Sequence, residues 1–291
     1  MALQRYHLGL PVWNEQRWIG EFYSEDAKQR EYLHQYATVF NAVEGNSTFY
    51  GLPSEKTMQK WADDVPKGFK FCFKMPQTIT HYRKLQNYED KLTQFKNLLL
   101  SIREYVGPVM IQLPAQFGPN QLNKLEAFLA DLPPTFYYGV EVRHPSLFDN
   151  GRNERALSNL LESYSADRII FDTRRLHEDT NQDPDFKTVQ DRKPKLPVRF
   201  TNTGSHPMVR FVGSNEIEAN EPYLKEWAIV VAEWIREGLH PYVFIHAPNE
   251  FYAPRIARKF HDILAGLINL NGMPKWPIER AGPQGQMSLF E

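Results

Sequence analysis

Short apolar runs recur along the chain at nearly even intervals. Most are apolar on both faces, which is typical of parallel strands that are covered on both sides. They begin near residues 6, 39, 70, 106, 137, 168, 208 and 241, so the intervals are 31 to 40 residues long. A strand, a crossover helix and two loops need about 30 residues or more. Each interval therefore fits one βα unit.

Amphipathic helical patterns fill most of these intervals. Apolar residues spaced i, i+3, i+4 and i+7 mark one face of a helix. Leu33, Tyr36, Ala37 and Phe40 show this spacing in the first interval. Six later segments repeat it, beginning near residues 58, 92, 122, 157, 224 and 256. Eight strands alternating with helices predict one TIM-type (β/α)8 barrel over residues 1–270.

The main alternative is an open, doubly wound α/β sheet. Such sheets usually carry a glycine-rich phosphate-binding turn after the first strand. Residues 9–14 read GLPVWN and contain no such turn. The closed barrel is therefore favoured.

Two segments depart from the repeating pattern. Residues 174–207 follow the sixth strand and show no helical spacing, so they predict a long loop. Such a loop is usually a lid or binding element, or else disordered, and in a barrel it would overhang the active face. Residues 271–291 are punctuated by glycine and proline and predict an extended C-terminal tail.

Polar residues at the ends of the predicted strands are the candidate site residues, because the carboxyl ends of the strands surround the working site of such a barrel. Glu44, Glu141, Asp172 and His246 are the candidate acid/base groups for catalysis. The candidate ligand-binding residues are Asn46, Tyr50, Lys74, His81, Gln112, Arg143, His144, Arg210 and Asn249.

Positive and negative side chains are nearly balanced in this set. The charged members are Lys74, Arg143, Arg210, Glu44, Glu141 and Asp172. Burying an unpaired ion is costly, so one interpretation is a network of ion pairs that satisfies itself. The other is a pocket for a small anionic or sugar-like ligand. There, arginines would bind phosphate or carboxylate, and a carboxylate or histidine would move protons.

A divalent metal is an alternative use of the same carboxylates and histidine. Glu44, Glu141, Asp172 and His246 are suitable ligand types on different strands. The neighbouring arginines would compete with a cation, and the chain has no H-E-x-x-H spacing. The sequence also lacks a G-x-S-x-G nucleophile turn and a P-loop. We therefore expect no metal or other cofactor.

Composition narrows the remaining possibilities. The 34 basic and 35 acidic residues nearly cancel, so direct nucleic-acid binding would need a local patch and stays undecided. Cys72 is the single cysteine and lies in an apolar run, which indicates a buried small side chain rather than a nucleophile. No run has the length of a membrane helix or a signal peptide, which predicts a cytoplasmic protein with no membrane partner.

Several motifs occur in order along the predicted barrel. They are Trp18-x-Gly20-x-Phe22-Tyr23, Val43-Glu44-x-Asn46-Ser47-Thr48-Phe49-Tyr50, Phe71-x-Phe73-Lys74-x-Pro76 with Thr80-His81, Gln112-Leu113-Pro114 and Glu141-x-Arg143-His144. Together they resemble the YecE-like family, also called domain of unknown function 72. The resemblance implies a TIM-type barrel and a bacterial origin. It implies no reaction, because the family is uncharacterised.

The last residues carry a second motif. Gln286-Met287-Ser288-Leu289-Phe290 resembles the short peptide by which bacterial repair and replication proteins bind the DNA sliding clamp. Gln286 would anchor the peptide by hydrogen bonds, while Met287, Leu289 and Phe290 would fill apolar pockets. Methionine in place of the usual leucine conserves volume. The alternative is a tail that folds Leu289 and Phe290 onto its own barrel.

Two functional hypotheses remain open at this point. The first is an enzyme, a hydrolase or lyase with carboxylate acid/base groups, that acts on a phosphate- or sugar-containing ligand and is linked to DNA repair or replication through its tail. The second is a non-catalytic barrel that binds a small ligand or serves as a clamp-associated adaptor. Fold analogy alone does not decide between them.

Overall fold

The computed structural model describes residues 6–280. Within this range the chain alternates between short parallel strands and helices. The strands are β1 (His7–Leu10), β2 (Ala42–Gly45), β3 (Lys70–Phe73), β4 (Val109–Gln112), β5 (Tyr138–Glu141), β6 (Asp167–Arg168), β7 (Ile170–Asp172), β8 (Met208–Val212) and β9 (Tyr242–His246).

The strand pairings run through the whole set. Six strands pair in the order β3-β2-β1-β9-β8-β7 and three in the order β4-β5-β6. Single bridges from Phe71 to Val106 and from Lys74 to Met110 join β3 to the β4 side. β6 and β7 are two parts of one barrel strand, separated by Ile169, whose N–H donates to the Val140 carbonyl at 2.9 Å. Eight parallel positions thus form a circuit, which confirms the predicted TIM-type barrel.

Helices connect the strands and cover the outside of the sheet. They are α1 (Tyr32–Ala37), α2 (Ser47–Tyr50), α3 (Glu55–Asp63), α4 (Glu89–Ser101), α5 (Leu122–Asp131), α6 (Arg152–Ser163), α7 (Arg174–Glu178), α8 (Pro184–Arg192), α9 (Glu221–Arg236), α10 (Ala253–Ala265) and α11 (Pro277–Arg280). Local chemistry sets their ends. Ser54 caps α3 by accepting from the Thr57 N–H, and Gly238 adopts a positive φ of 83° just after α9.

The barrel interior is filled by side chains and leaves little room between strands. Cys72 is fully buried in a small inner cluster with Met110, Met208 and Phe244, as its apolar surroundings predict. A side chain at Gly9 would lie 2.2 Å from the Ala42 carbonyl oxygen, so only glycine allows β1 and β2 this close approach.

The segment after the sixth strand differs from its prediction. Residues 174–207 were expected to lack helices, but they contain α7 and α8. Asp183 caps α8 through the N–H groups of Asp185 and Phe186, and Pro184 occupies its first turn. The two helices bury only Leu176 and Phe186 between them, so no apolar stripe exists for a periodicity argument to detect.

This segment nevertheless lies over the carboxyl end of the barrel. Thr173 donates to the Pro194 carbonyl at 2.8 Å, and His177 contacts the Lys193 carbonyl at 3.1 Å. These bonds hold residues 193 and 194, where the segment runs back toward the barrel, beside the end of β7. Lys193 is thereby brought within 5.6 Å of the Phe171 ring.

Part of the predicted C-terminal tail, residues 276–280, contacts the barrel. Trp276 is 5% exposed and packs edge-on against Phe22 with the ring centres 5.4 Å apart. Arg258 lies 3.7 Å above the Trp276 ring and also pairs with Glu279 at 2.6 Å. Apolar and cation–π contacts thus hold the chain on the barrel as far as Arg280. Gln286, Met287, Leu289 and Phe290 lie outside the described residues.

Among residues 6–280, no helix is long and apolar enough to cross a membrane.

The Trp276 contact leads to a stability prediction. Trp276→Ala should lower the free energy of unfolding by about 3–5 kcal/mol, because it removes a buried ring and leaves a cavity beside Phe22. Trp276→Phe is the matched control. It keeps an aromatic ring and removes an indole N–H that has no partner within residues 6–280. Denaturant unfolding measures both variants, and a loss below about 1 kcal/mol for Trp276→Ala would show that residues 271–280 are not part of the folded unit.

Candidate functional site

Strand parity builds the candidate site. Successive side chains along a strand point to opposite faces, so the residue two positions beyond an interior residue also points inward. The inner cluster includes Ala42, Cys72, Met110, Ile169, Met208 and Phe244. Two positions after each of these residues, and two positions after Gly139 on β5, the strands carry buried side chains that also point inward. We call these side chains the mouth cluster. They are Glu44, Lys74, Gln112, Glu141, Phe171, Arg210 and His246.

Arg210 occupies the centre of the mouth cluster. It is 4% exposed, on β8. Its Nε and Nη2 donate to the two carboxylate oxygens of Glu44 at 2.7 and 3.0 Å, and its Nη1 donates to Glu141 at 2.5 Å. All three guanidinium nitrogens are thus bound by two carboxylates. Arg210 is therefore a bridge between strands rather than a free ligand-binding group.

A second set of contacts extends this network. Arg143 donates from Nε to Glu141 at 2.7 Å and from Nη2 to Gln112 at 2.9 Å. Its side chain keeps 21% exposure. Glu44 also accepts from Asn46 at 2.9 Å and lies 2.9 Å from His246 Nε2. Arg143 is thus the member of this network with access to a ligand.

Both buried glutamates stay ionised. Burial alone would raise the pKa of Glu44, but Arg210 and His246 outweigh it and hold that pKa well below its usual range. Burial likewise opposes ionisation of Glu141, yet Arg143, Arg210 and Lys74 lower its pKa to about 2. Carboxylates this acidic are weak proton acceptors at neutral pH. Glu44 and Glu141 therefore serve the ion network more than proton transfer.

Asp172 does not join the mouth cluster, which corrects the expectation from the sequence. Its carboxylate accepts from Arg174 at 2.8 Å and from the indole N–H of Trp227 on α9 at 2.8 Å. Its neighbour Phe171 has the inward parity instead. The Phe171 ring lies 4.9 Å from the Arg210 guanidinium and 5.3 Å from that of Arg143. The sequence prediction chose Asp172 because it is polar. The alternation of side chains along the strand instead turns Phe171 into the barrel.

Lys74 enters the mouth from the end of β3. Its Nζ lies 4.0 Å above the Phe49 ring, and it makes no hydrogen bond or ion pair within residues 6–280. Burial, together with the positive charges of Arg210 and Arg143, lowers its pKa to about 7. A mixture of amine and ammonium forms is therefore present at neutral pH.

Two residues that sequence reasoning missed border the mouth. Glu250 follows β9 and lies 3.8 Å from His246 Nδ1. Burial raises its pKa to about 8, while the nearby Lys193 opposes the rise. Its side chain keeps 27% exposure. Lys193 comes from the segment after β7, and burial lowers its pKa. Glu250 lies one position beyond Asn249, the last candidate selected, while nothing in the spacing of Lys193 marks it.

The other candidates lie at the edge of the mouth or away from it. His81 packs edge-on against Phe49 at 5.0 Å, and burial and Lys74 lower its pKa to about 4. Tyr50 is 77% exposed. His144 accepts from the Ser146 N–H and Asn249 accepts from the Phe251 N–H, so both cap short helical turns. Sequence proximity to a strand end thus did not place Tyr50, His144 or Asn249 in the cluster.

The charge at the mouth is positive overall. Arg143, Lys193 and Arg210, together with the partly protonated Lys74, face two ionised carboxylates, Glu44 and Glu141. The raised pKa leaves Glu250 largely protonated at neutral pH. The balanced set expected from the sequence changes because Asp172 leaves it and Lys193 joins. Within residues 6–280, no three or more His, Cys, Asp or Glu side chains are grouped as metal ligands.

Fold and site together define a TIM-type barrel with an ion-paired cluster at the carboxyl ends of its strands. A family model described as "Protein of unknown function DUF72" matches residues 7–277. The chain belongs to this family, which confirms the resemblance in its motifs. The UPF0759 protein YecE of Escherichia coli K12 is 34% identical over 272 residues, covering 93% of this chain and 97% of that protein. YecE of E. coli O157:H7 matches equally.

Solved structures share the architecture. A DUF72 family protein from Enterococcus faecalis V583 superimposes with a TM-score of 0.67 at 17% identity, covering 93% of this chain and 98% of that one. A DUF72 family protein from Thermotoga maritima MSB8 gives a TM-score of 0.67 at 23% identity, covering 89% and 98%. At these identities the likeness shows the fold.

The Arg210 bridge leads to a second stability prediction. Arg210→Met should destabilise the protein by about 3–5 kcal/mol at pH 7, because it leaves buried carboxylates without their shared partner. The pKa values of Glu44 and Glu141 are lower in the folded protein than in the unfolded chain, so their ionisation stabilises the fold at pH values above the unfolded-state pKa. That contribution is lost as the pH falls, so the deficit of the variant should shrink below about pH 4.5.

The matched control removes the carboxylate charges as well. Arg210→Met combined with Glu44→Gln and Glu141→Gln should be more stable than Arg210→Met alone, as measured by urea unfolding at pH 7. A single variant as stable as the parent at pH 7 would contradict the assigned role of Arg210.

Proposed function

We propose that the mouth of the barrel binds a small anionic ligand, a sugar phosphate or related phosphate- or carboxylate-bearing compound, and performs proton-transfer chemistry on it. The observation that carries this proposal is the excess of cations around Phe171. Arg143 and Lys193 lie 5.3 and 5.6 Å from that ring. Arg210 is saturated by carboxylates, so the charged group of the ligand would be held by Arg143 and Lys193.

Acid/base chemistry is assigned to the pair formed by Glu250 and His246. Glu250 carries a proton near neutral pH and is accessible, which are the requirements for a general acid. His246 lies between Glu250 and the ionised Glu44, at 3.8 and 2.9 Å. A proton released by Glu250 could return through His246. This arrangement suits a hydrolase or a lyase.

A non-catalytic ligand-binding barrel is the alternative. It would use the same cations but would not need a protonated carboxyl group beside the ligand. Substitution of Glu250 therefore distinguishes an enzyme from a non-catalytic binding protein.

The binding half of the proposal predicts a defined effect of charge removal. Lys193→Ala and Arg143→Ala should each weaken binding of inorganic phosphate by about tenfold, since each removes one charge-assisted contact. Lys195→Ala is the matched control. Lys195 is exposed and lies two residues from Lys193, and its substitution removes the same charge. Isothermal titration at fixed ionic strength measures all four proteins. Equal losses in the Lys193 and Lys195 variants would indicate a diffuse field instead of a site.

The catalytic half predicts a separation of binding and turnover. A panel of sugar phosphates is incubated with the protein and followed by phosphorus NMR. Glu250→Gln should keep phosphate affinity within about twofold but lower turnover at least a hundredfold, the size of effect expected for a general acid. Turnover that survives Glu250→Gln would remove Glu250 from the mechanism. Ligand binding without any turnover across the panel would favour the non-catalytic alternative.

A link to DNA repair or replication rests on the motif at residues 286–290. It requires the cytoplasmic location expected from the sequence. The double substitution Leu289→Ala/Phe290→Ala should abolish retention of the bacterial sliding clamp in a pull-down, because it removes the two side chains that would fill the clamp pockets. Glu291→Ala should leave retention unchanged. Failure of the parent protein to retain the clamp would refute this link.

A further inference from the structure

The backbone of Lys74 is fixed by hydrogen bonds, and its side chain is buried. Its N–H donates to the Gly45 carbonyl at 3.2 Å, and its carbonyl accepts from the Thr48 hydroxyl at 2.7 Å. These bonds fix the backbone, so the side chain extends from β3 over Phe49 into the mouth. An anion-binding lysine would gain from a flexible, hydrated stem. Here the stem is buried and the residue is 8% exposed.

The surroundings favour the neutral amine. Burial penalises the ammonium form, and the neighbouring cations Arg210 and Arg143 repel it. These effects outweigh the attraction of Glu141 and Glu44 and lower the Lys74 pKa to about 7. Desolvation and a neighbouring cation are the two devices that turn a lysine into a nucleophile at neutral pH. The amine also has no hydrogen-bond partner within the described residues that would occupy its lone pair.

Other lysines near the barrel lack one of these properties. Lys70, at the start of the same strand, donates from Nζ to the Glu104 carbonyl at 2.7 Å. Lys193 also has a lowered pKa and the same cationic neighbours, but it is only partly buried and lies near Phe171 at the proposed anion site. Lys195 is exposed. Lys74 differs from the other lysines in combining an unbonded amine and cationic neighbours with a side chain that is only 8% exposed.

We propose that Lys74 is a nucleophile that forms an imine with the carbonyl group of an anionic carbonyl compound, a 2-oxo acid or an open-chain sugar phosphate. The choice of an anionic substrate rests on the proposed function, with Arg143 and Lys193 binding the charged group. The Nζ lone pair attacks the carbonyl carbon to form the C–N bond. Both Nζ protons then leave with the carbonyl oxygen as water, and the C=N bond remains. The step needs no oxidant or reductant.

An imine would also give the other groups of the mouth a use. A protonated imine withdraws electrons from the adjacent carbon, so a proton or carbon substituent on that carbon can depart as the electron pair moves toward nitrogen. Glu250 and His246 are the groups assigned to proton transfer. Within the proposed function, the imine favours a lyase over a hydrolase, and it adds an isomerase that acts beside a carbonyl group as a second possibility.

Reductive trapping of the whole protein tests this proposal. Pyridoxal 5′-phosphate, pyruvate and dihydroxyacetone phosphate are the probes, each added with sodium borohydride. Peptide mass spectrometry then locates the secondary amine. We expect about one equivalent of adduct, on Lys74. Lys74→Arg should abolish it, because the guanidinium keeps the charge but is not nucleophilic, whereas Lys195→Arg should not change it.

The pH dependence adds a readout that exposed lysines would not give. The trapping rate at Lys74 should rise about tenfold between pH 6 and 8 and then level off, following an amine that titrates near neutrality. A surface lysine would instead gain about tenfold per pH unit throughout that range. A rate that is still rising steeply at pH 8 would therefore contradict the proposal.

The outcomes separate this proposal from the one on which it rests. Phosphate binding by the parent with no adduct at Lys74, or with adducts only on other lysines, overturns the imine but leaves the anion site standing. An adduct at Lys74 with pyruvate but no phosphate binding supports the nucleophile and refutes the phosphate site. Unfolding curves of Lys74→Arg and Lys74→Met establish that loss of the adduct does not reflect loss of the fold.

Discussion

The ion bridge made by Arg210 is the interaction on which the rest of the mouth depends. One guanidinium from β8 binds a carboxylate from β2 and another from β5. Each buried charge would be costly alone, and each is tolerable only because the other two are present. The three strands must therefore keep both their register and their inward parity, since a slip of one residue would move a charge to the opposite face.

The bridge also determines what the remaining groups can do. Glu44 and Glu141 pair with Arg210, and within the described residues neither carboxylate forms a direct ion pair with Lys74 or Lys193. Burial lowers the pKa of both lysines, and the positive charges of Arg210 and Arg143 lower it further. The same desolvation acts in the other direction on Glu250 and retains its proton. The same mouth thus holds an amine with a lowered pKa, Lys74, and a carboxyl group with a raised pKa, Glu250.

The sequence was sufficient for the barrel and for much of the cluster, because both follow from periodicity. Strand spacing near 30 residues implies βα units, and polar residues at strand ends identified Glu44, Lys74, Glu141, Arg210 and His246. Asp172 was misplaced because a three-residue strand gives no parity of its own; Ile169 and Phe171 face inward only once the neighbouring strands are in place. Lys193 was missed because its position depends on tertiary contacts of a segment with few apolar residues, and α8 was missed for the same reason.

The contact of Trp276 with Phe22 has a consequence for how the protein is made. During synthesis the first βα unit leaves the ribosome some 250 residues before the ring that covers it, since Phe22 and Trp276 are that far apart in the chain. Its cluster of Trp18, Phe22 and Tyr23 must remain incomplete for most of translation. β1 also waits for β9, its last neighbour in the circuit. Until translation ends, the sheet is therefore open and its aromatic side chains are exposed. We expect a chaperone to bind the nascent chain at this stage.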